Sequence, residues 1–167
     1  GFVEMVAGVL AATELEARFL ELELTERTVM HDAEQTLGTL RTLNRMGVEL
    51  ALDDFGTGYS SLAYLKRFPV GKLKIDRSFV RDLEVDSDDR AIASTILSMG
   101  HSLRLKVLAE GVETAEQYAI LRDMGCELVQ GYHFSRPLPA DQFVAFHHRQ
   151  VPDALAGHQG HGFTHGL

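Results

Sequence analysis

Five segments with the residue pattern of β-strands alternate with helical segments along this 167-residue chain. The strand candidates are residues 19–26, 48–54, 71–76, 105–110 and 127–134. Strands that are separated by helices run parallel, because each right-handed crossover returns the chain to the same edge of the sheet. The repeat therefore predicts an α/β fold, which is either a doubly wound sheet or a TIM-type (β/α) barrel.

The segments between the strand candidates, and the first residues of the chain, carry apolar side chains at helical spacing. The four apolar stripes are Phe2, Met5, Val6, Val9 and Leu10; Ala33, Leu37, Leu40 and Leu43; Ile92, Ile96, Met99 and Leu103; and Tyr118, Leu121 and Met124. Gly47 and Gly125 follow two of these stripes, as is typical where a helix ends. Thr114 and Gln117 have capping-box spacing, which predicts a helix that begins after Thr114.

Polar side chains stand at or near the end of every strand candidate, and they decide between the two folds. These residues are Glu23, Glu26, Asp53, Asp54, Lys74, Asp76, Glu110, Glu113 and Gln130. A barrel gathers the ends of all its strands around one mouth, whereas a doubly wound sheet joins only the strands beside its switch point. We therefore predict a TIM-type barrel. A complete barrel has eight strands, so these five units predict an incomplete one, with about three strands expected upstream.

Asp53 and Asp54 are adjacent, close an apolar stretch and precede a Gly-Thr-Gly turn at 56–58. Neighbouring side chains of a regular strand point to opposite faces, but both can be aimed at one point where the chain leaves the pleat. Two carboxylates at one point repel each other unless a cation or a proton lies between them. Taken alone, the pair fits a divalent-metal site and a plain acidic turn equally well.

Glu23 and Glu110 add hard oxygen donors at two other strand ends. Hard oxygens select Mg²⁺ or Mn²⁺, whereas zinc prefers His and Cys, and only His133 lies near these strand ends. Two such metals could hold a phosphodiester and make hydroxide at neutral pH. Lys74 could orient that water or stabilise phosphate charge. The alternative for Lys74 is a salt bridge to one of the acids.

The charge balance and the single cysteine exclude several classes of protein. A net charge of -8 argues against a nucleic-acid polymer as the partner, because binding to phosphates needs an excess of Lys and Arg. Cys126 cannot form an internal disulfide and suits a reducing, cytoplasmic compartment; we interpret it as a small apolar residue rather than a reactive thiol. No apolar run approaches the ~18 residues of a membrane span.

Five motifs follow one another in register over residues 1 to about 147. They are Leu-Glu-Leu-Thr-Glu at 22–26, Asp-Asp-Phe-Gly-Thr-Gly-Tyr-Ser-Ser-Leu at 53–62, Lys-Ile-Asp at 74–76, Ala-Glu-Gly-Val-Glu-Thr at 109–114 and Gln-Gly-Tyr at 130–132. In this order and spacing they resemble the signature motifs of the EAL-domain family, the bacterial cyclic di-GMP phosphodiesterases. We therefore interpret residues 1–148 as the C-terminal portion of an EAL domain. Residues 149–167 are Gly-rich and His-rich, which predicts a disordered tail.

The resemblance implies a role for each matched residue. Glu23 and Asp53 would bind a first metal, with Asp53 bridging to a second one whose ligands Asp54 and Glu110 complete. Lys74, Glu110 and Asp53 would act in catalysis, and Lys74 would contact the attacking water or the metal site. Gln130 would hydrogen-bond a guanine base. Glu26, with Glu113 near it, would anchor the loop at residues 55–61.

The implied reaction is hydrolysis of cyclic di-GMP to linear pGpG by two-metal catalysis with Mg²⁺ or Mn²⁺. The family's Glu-Ala-Leu signature, its asparagine ligand and its phosphate-contacting arginine have no counterpart in residues 1–167. We therefore expect this chain alone to be poorly active. The resemblance also implies a homodimer through the region around residues 53–62. It further implies an upstream sensory or GGDEF domain in the parent protein, which could be anchored in a membrane.

Two other functions are compatible with parts of this pattern. The first is a catalytically silent cyclic di-GMP receptor or protein-interaction EAL domain, which the intact ligand positions argue against. The second is a sugar- or phosphate-converting TIM-barrel enzyme of another family. That enzyme would have a Gly-rich phosphate-binding loop near the last strands, and residues 130–134 do not resemble one.

Overall fold

The computed structural model describes residues 1–25, 33–57 and 65–156. The helices are α1 (Phe2–Thr13), α2 (Ala33–Arg45), α3 (Ser78–Arg81), α4 (Ser87–Ser102), α5 (Ala115–Asp123) and α6 (Ala140–Ala156). The strands are β1 (Glu21–Thr25), β2 (Glu49–Phe55), β3 (Lys72–Ile75), β4 (Lys106–Glu110) and β5 (Leu128–Gln130). A short 3₁₀ helix, Ala17–Phe19, precedes β1. No helix in these ranges is long and apolar enough to cross a membrane.

The five strands form one parallel sheet in the order β1-β2-β3-β4-β5. When each strand pairs with the next one along the chain, right-handed crossovers place all the connecting helices on the same face of the sheet. This is the winding of a barrel, since a doubly wound sheet reverses its strand order and covers both faces. The predicted TIM-type topology is confirmed, and the described residues supply five of the eight strands that a closed barrel has.

The apolar core lies between the sheet and its helices. Alternate residues of each strand, such as Leu50 and Leu52 in β2 and Leu73 and Ile75 in β3, are buried in this core. The residues between them point to the opposite face, which is the interior side of the barrel. That interior face carries the charged residues Glu21, Glu23, Asp53, Lys72, Lys74 and Glu110 beside the uncharged Ala51, Leu108 and Leu128.

All five predicted strands are present, but the first and the last are shorter than predicted. β1 begins only at Glu21, because Phe19 ends the 3₁₀ helix. β5 ends at Gln130, and a turn follows in which the Phe134 N–H donates to the Gly131 carbonyl at 3.1 Å. The aromatic residues Tyr132 and Phe134 give the turn a strand-like composition, which explains why the sequence predicts a strand that continues to residue 134.

The helical stripes are confirmed in α2 and corrected in α4. Leu37, Leu40 and Leu43 of α2 are all buried, as predicted. The buried residues of α4 are Ala93, Ile96, Leu97 and Gly100, whereas Ile92 is 37% exposed. Small residues on the buried face let this helix lie close to the sheet, and a search for large apolar residues misses such a face.

The exposure of α1 and the length of α6 also differ from the expectation. Val6 and Leu10 of α1 are buried, while Phe2, Met5 and Val9 are more than half exposed. The backbone of residues 149–156 continues α6, whereas the sequence predicts that the tail begins at residue 149. The Gly- and His-rich, unpatterned composition is the basis of that prediction, and the helix runs through Pro152. Residues 157–167, with His158, His161 and His165, lie outside the described residues.

We predict that Gly100→Ala destabilises the protein. The added methyl carbon would lie 2.3 Å from Cγ2 of Val107, a fully buried β-branched side chain of β4. Overpacking of this kind typically costs about 1–3 kcal/mol, which urea denaturation would measure. Gly38→Ala in α2 is the matched control, since no atom lies within 4 Å of its added carbon. It should gain up to about 1 kcal/mol from helix propensity, and equal effects of the two substitutions would contradict the close packing of α4.

The thiol of Cys126 should react slowly in the folded protein. Burial raises its pKa to about 11, and the thiol donates to the Leu128 carbonyl at 3.2 Å. Because the thiolate is the reactive form, we expect alkylation by iodoacetamide at pH 8 to be about 100-fold slower in buffer than in denaturant. The unfolded chain is its own control. Equal rates in the two conditions would show that Cys126 is an accessible thiol.

Candidate active site

Lys74 stands at the centre of a charged cluster on the interior face of the sheet. Its side chain is only 4% exposed, and Nζ lies 2.6 Å from Glu23 Oε1, 3.2 Å from Asp53 Oδ1 and 2.7 Å from Glu110 Oε1. The three acids come from β1, β2 and β4, and the lysine comes from β3. Four neighbouring strands thus bring their charged side chains to one point, as the predicted barrel mouth requires.

The electrostatics of the cluster favour its charged form. Burial disfavours the Lys74 ammonium, but the hydrogen bonds to Glu110, Glu23 and Asp53 outweigh it and raise the pKa of Lys74. Burial is also the main cause that raises the pKa of Glu110, with further contributions from the Asp53 and Glu23 charges and an opposing one from Lys74. The cluster has three carboxylates and one ammonium, so negative charge is in excess.

A backbone irregularity aims Asp53 and Asp54. The register of β2 against β3 shifts between Leu52 and Phe55, and Asp54 has a left-handed backbone with φ 53°. This bulge interrupts the alternation of a regular strand, so the two adjacent acids need not point to opposite faces of the sheet. The Asp54 N–H donates to Asp53 Oδ1 at 3.0 Å, which orients the Asp53 carboxylate toward Lys74.

The Asp54 carboxyl lies near a further acid, Asp76, which follows β3. Burial raises the pKa of Asp54, and the charges of Asp53 and Asp76 raise it further. Asp76 itself is held by the Ser78 N–H at 2.9 Å and the Ser78 hydroxyl at 2.5 Å. Burial would raise the pKa of Asp76, but these hydrogen bonds and the Arg77 charge outweigh it and lower that pKa.

The remaining residues that the sequence singled out lie in three different situations. Gln130 is exposed at the end of β5 and pairs in register with Glu110 of β4, so the two residues are neighbours. Glu113 is exposed three residues beyond Glu110, and its backbone N–H donates to Gln117. Glu26 lies outside the described residues, as does most of the loop that it is expected to anchor.

Sequence reasoning missed the contacts that fix the turns around this cluster. Gly131 permits a close backbone approach: a Cβ at this position would lie 2.0 Å from the Val112 carbonyl oxygen. The Val112 N–H donates to the Gln130 carbonyl at 3.0 Å, so this approach joins the ends of β4 and β5. The glycine in the Gln-Gly-Tyr motif was the available signal. Gln117 was recognised only as a capping residue, although it is 4% exposed and also bonds outside its own helix.

The donor chemistry of the cluster fits a hard divalent cation. Within the described residues, no group of three or more His, Cys, Asp and Glu side chains has a metal-binding arrangement. The Lys74 ammonium lies where the oxygens of Glu23, Asp53 and Glu110 meet. These three carboxylates, with Asp54 beside them, are the oxygen donors that Mg²⁺, Mn²⁺ and Ca²⁺ take in proteins. They could hold such an ion once some of their contacts to Lys74 are exchanged.

A cluster of charged side chains at the carboxyl edge of a sequentially wound parallel sheet is typical of the class of (β/α)-barrel enzymes. Comparison with known proteins narrows this class. A family model described as the EAL domain matches residues 1–137. The chain therefore belongs to the EAL-domain family.

Among curated relatives, the chain is 50% identical over 145 residues to the bifunctional diguanylate cyclase/cyclic di-GMP phosphodiesterase MucR of Pseudomonas aeruginosa. It is 54% identical over 137 residues to the cyclic di-GMP phosphodiesterase NbdA of the same organism. These matches cover 87% and 82% of this chain but only 21% and 18% of the relatives. The chain thus spans about a fifth of the length of these curated relatives.

Solved structures give the same result for the fold. The phosphodiesterase of P. aeruginosa MucR in complex with c-di-GMP matches with a TM-score of 0.83 and 50% identity, over 86% of this chain and 58% of that one. The EAL domain of Mycobacterium smegmatis DcpA has a TM-score of 0.83 and 40% identity, with 89% and 67% covered. Klebsiella pneumoniae BlrP1 with manganese and cyclic di-GMP has a TM-score of 0.75 and 38% identity, with 81% and 34% covered.

Replacing Lys74 should destabilise the protein more than replacing its neighbour Lys72. Lys74→Met leaves three carboxylates facing one another without the ammonium. Their side chains are 20% to 49% exposed, so we expect a loss of about 2 kcal/mol, below the roughly 3–5 kcal/mol for a fully buried pair. Urea denaturation at low salt would measure it.

Lys72→Met is the matched control for this measurement. Lys72 lies two residues earlier on the same face of β3 and pairs with one acid, Glu21, at 2.5 Å. Because that pair is partly exposed, its loss should cost no more than about 1 kcal/mol. A larger cost for Lys72→Met than for Lys74→Met would contradict the central position of Lys74.

Proposed function

We propose that this chain forms part of a cyclic di-GMP phosphodiesterase domain, which hydrolyses cyclic di-GMP to linear pGpG with Mg²⁺ or Mn²⁺. The observation that carries this proposal is the convergence of Glu23, Asp53 and Glu110 on Lys74 in a chain of the EAL-domain family. The names of MucR and NbdA, as cyclic di-GMP phosphodiesterases, support the same activity. The c-di-GMP complexes of MucR and BlrP1 support the same ligand.

In this proposal the acids hold the metals and the lysine holds a positive charge beside them. Glu23, Asp53, Asp54 and Glu110 are the metal-holding residues. Bound divalent cations would neutralise phosphate charge and lower the pKa of water. The raised pKa of Lys74 keeps its ammonium charged at neutral pH, so it can orient water or stabilise charge on a phosphate oxygen.

We further propose that Gln130 binds the guanine base. Its exposed amide stands beside Glu110 at the end of the sheet, and an amide can both donate to and accept from the edge of a base. On the family resemblance, we assign loop anchoring to Glu26 and Glu113. We also propose a homodimer in the intact protein and residues 1–148 as the portion that belongs to the EAL domain.

The parent protein is proposed to act in the cytoplasm, alone or joined to a sensory or GGDEF domain. The thiol of Cys126 is free in the structure, which suits a reducing compartment.

The test is hydrolysis of cyclic di-GMP by the protein that carries this chain, with pGpG measured by chromatography in Mg²⁺, in Mn²⁺ and in EDTA. We expect metal-dependent turnover. Lys74→Met should lower kcat by about 100-fold or more, the scale for losing one group that stabilises charge in the transition state. Lys72→Met should change kcat less than threefold, because its partner Glu21 lies at the other end of the strands.

The possible results separate the proposed enzyme from the other functions. Tight binding of cyclic di-GMP without turnover in either metal would favour the catalytically silent receptor. If the protein neither binds nor hydrolyses cyclic di-GMP, the proposal is overturned. Equal losses of kcat in the two lysine variants would exclude a specific role of Lys74.

A further inference from the structure

The segments that follow β3 and β4 contact each other at three points, which together we call the brace (residues 77–84 and 111–117). Gly111, with φ 72°, lies so close to Arg77 that a Cβ on the glycine would be 2.7 Å from the arginine Cβ. The Thr114 hydroxyl donates to Glu84 Oε1 at 2.7 Å. Gln117 supplies the third contact, through its side-chain amide to the Arg81 carbonyl at 3.0 Å.

Gln117 is the buried member of the brace. Its Oε1 accepts the Glu113 N–H at 2.7 Å and the Thr114 N–H at 3.2 Å. These two contacts use both lone pairs of the oxygen, and the Thr114 contact belongs to the capping box at the start of α5. The donation from Nε2 to Arg81 has no part in capping, because Arg81 lies 36 residues earlier, at the end of α3.

We propose that Gln117 is a positioning residue that holds Glu110 against Lys74. One side of its amide fixes the chain three residues after Glu110, and the other side fixes the chain seven residues after Lys74. The amide therefore clamps the chain leaving β4 to the chain leaving β3. The contact that depends on this alignment is the 2.7 Å ion pair between the two site residues. As a role in metal binding, this inference rests on the proposed function.

Two substitutions separate the clamp from the helix cap. Gln117→Met keeps the approximate shape of the side chain and removes all three hydrogen bonds. Gln117→Glu keeps the acceptor oxygen of a capping box, and in its ionised form, at pH 8 and above, it cannot donate to the Arg81 carbonyl. Leu40→Ala is the control for lost stability, because Leu40 is buried in α2, which packs on β2 and α1 rather than on the brace.

The first measurement is a double-mutant cycle between Gln117→Met and Glu110→Gln, followed by urea denaturation in the absence of metal. If Gln117 holds Glu110 at Lys74, then Glu110→Gln should change the free energy of unfolding less in the Gln117→Met background than in the wild type. We expect its effect on the unfolding equilibrium constant to differ at least threefold between the two backgrounds. A difference below threefold overturns the inference.

The second measurement is the dissociation constant for Mn²⁺ alone, by electron paramagnetic resonance. We expect Gln117→Met and Gln117→Glu each to weaken Mn²⁺ binding at least tenfold, the scale for losing an interaction that orients a ligand. Leu40→Ala should lower stability and leave Mn²⁺ binding within threefold. Wild-type affinity in Gln117→Glu would mean that capping alone matters, which overturns the clamp. Coupling in the cycle with no Mn²⁺ binding by the wild-type protein that carries this chain would instead overturn the proposed function and leave the clamp supported.

Discussion

The attraction between the Lys74 ammonium and three carboxylates is the interaction on which the rest of the site depends. Glu23, Asp53 and Glu110 come from strands on both sides of β3, and without a cation they would repel one another. The sheet makes the arrangement possible, because its sequential parallel order places the carboxyl ends of neighbouring strands side by side. A lysine on the middle strand then reaches the acids on both flanks.

Holding four charges at one point also requires that the turns after the strands keep their shape. The bulge at Asp54 turns the end of β2, and Gly131 lets the end of β5 lie against Val112. The amide of Gln117 joins the turn after β4 to the turn after β3. Each device acts on backbone that leaves a strand, so the site is fixed from its periphery as well as by its own ion pairs.

The sequence predicts what local patterns encode and misses what depends on distant contacts. Alternating apolar residues predict all five strands, and the acids at their ends predict the edge at which the cluster forms. From the sequence, Lys74 is expected to form at most a salt bridge to one of the acids. In the structure it forms three ion pairs, because the strand order places acids on both sides of β3. The sequence pattern finds Ile96 on the buried face of α4 but misses Ala93, Leu97 and Gly100, because the close packing of this helix relies on a glycine. The Gln117 clamp has no local pattern at all, since its partner is 36 residues away.

Neighbouring side chains of each strand point to opposite faces of the sheet, so they have different roles. In β2 and β3, Leu50, Leu52, Leu73 and Ile75 are packed in the core, while the alternate positions that face the interior include the charged Asp53, Lys72 and Lys74. Alternate residues of the same short strands thus contribute to the apolar core and to the charged cluster. Substitutions on the interior face change the charges of the cluster, while the helix-covered core persists. A fold of this kind can therefore exchange the charges at its site by point mutations, each of which leaves the apolar core in place.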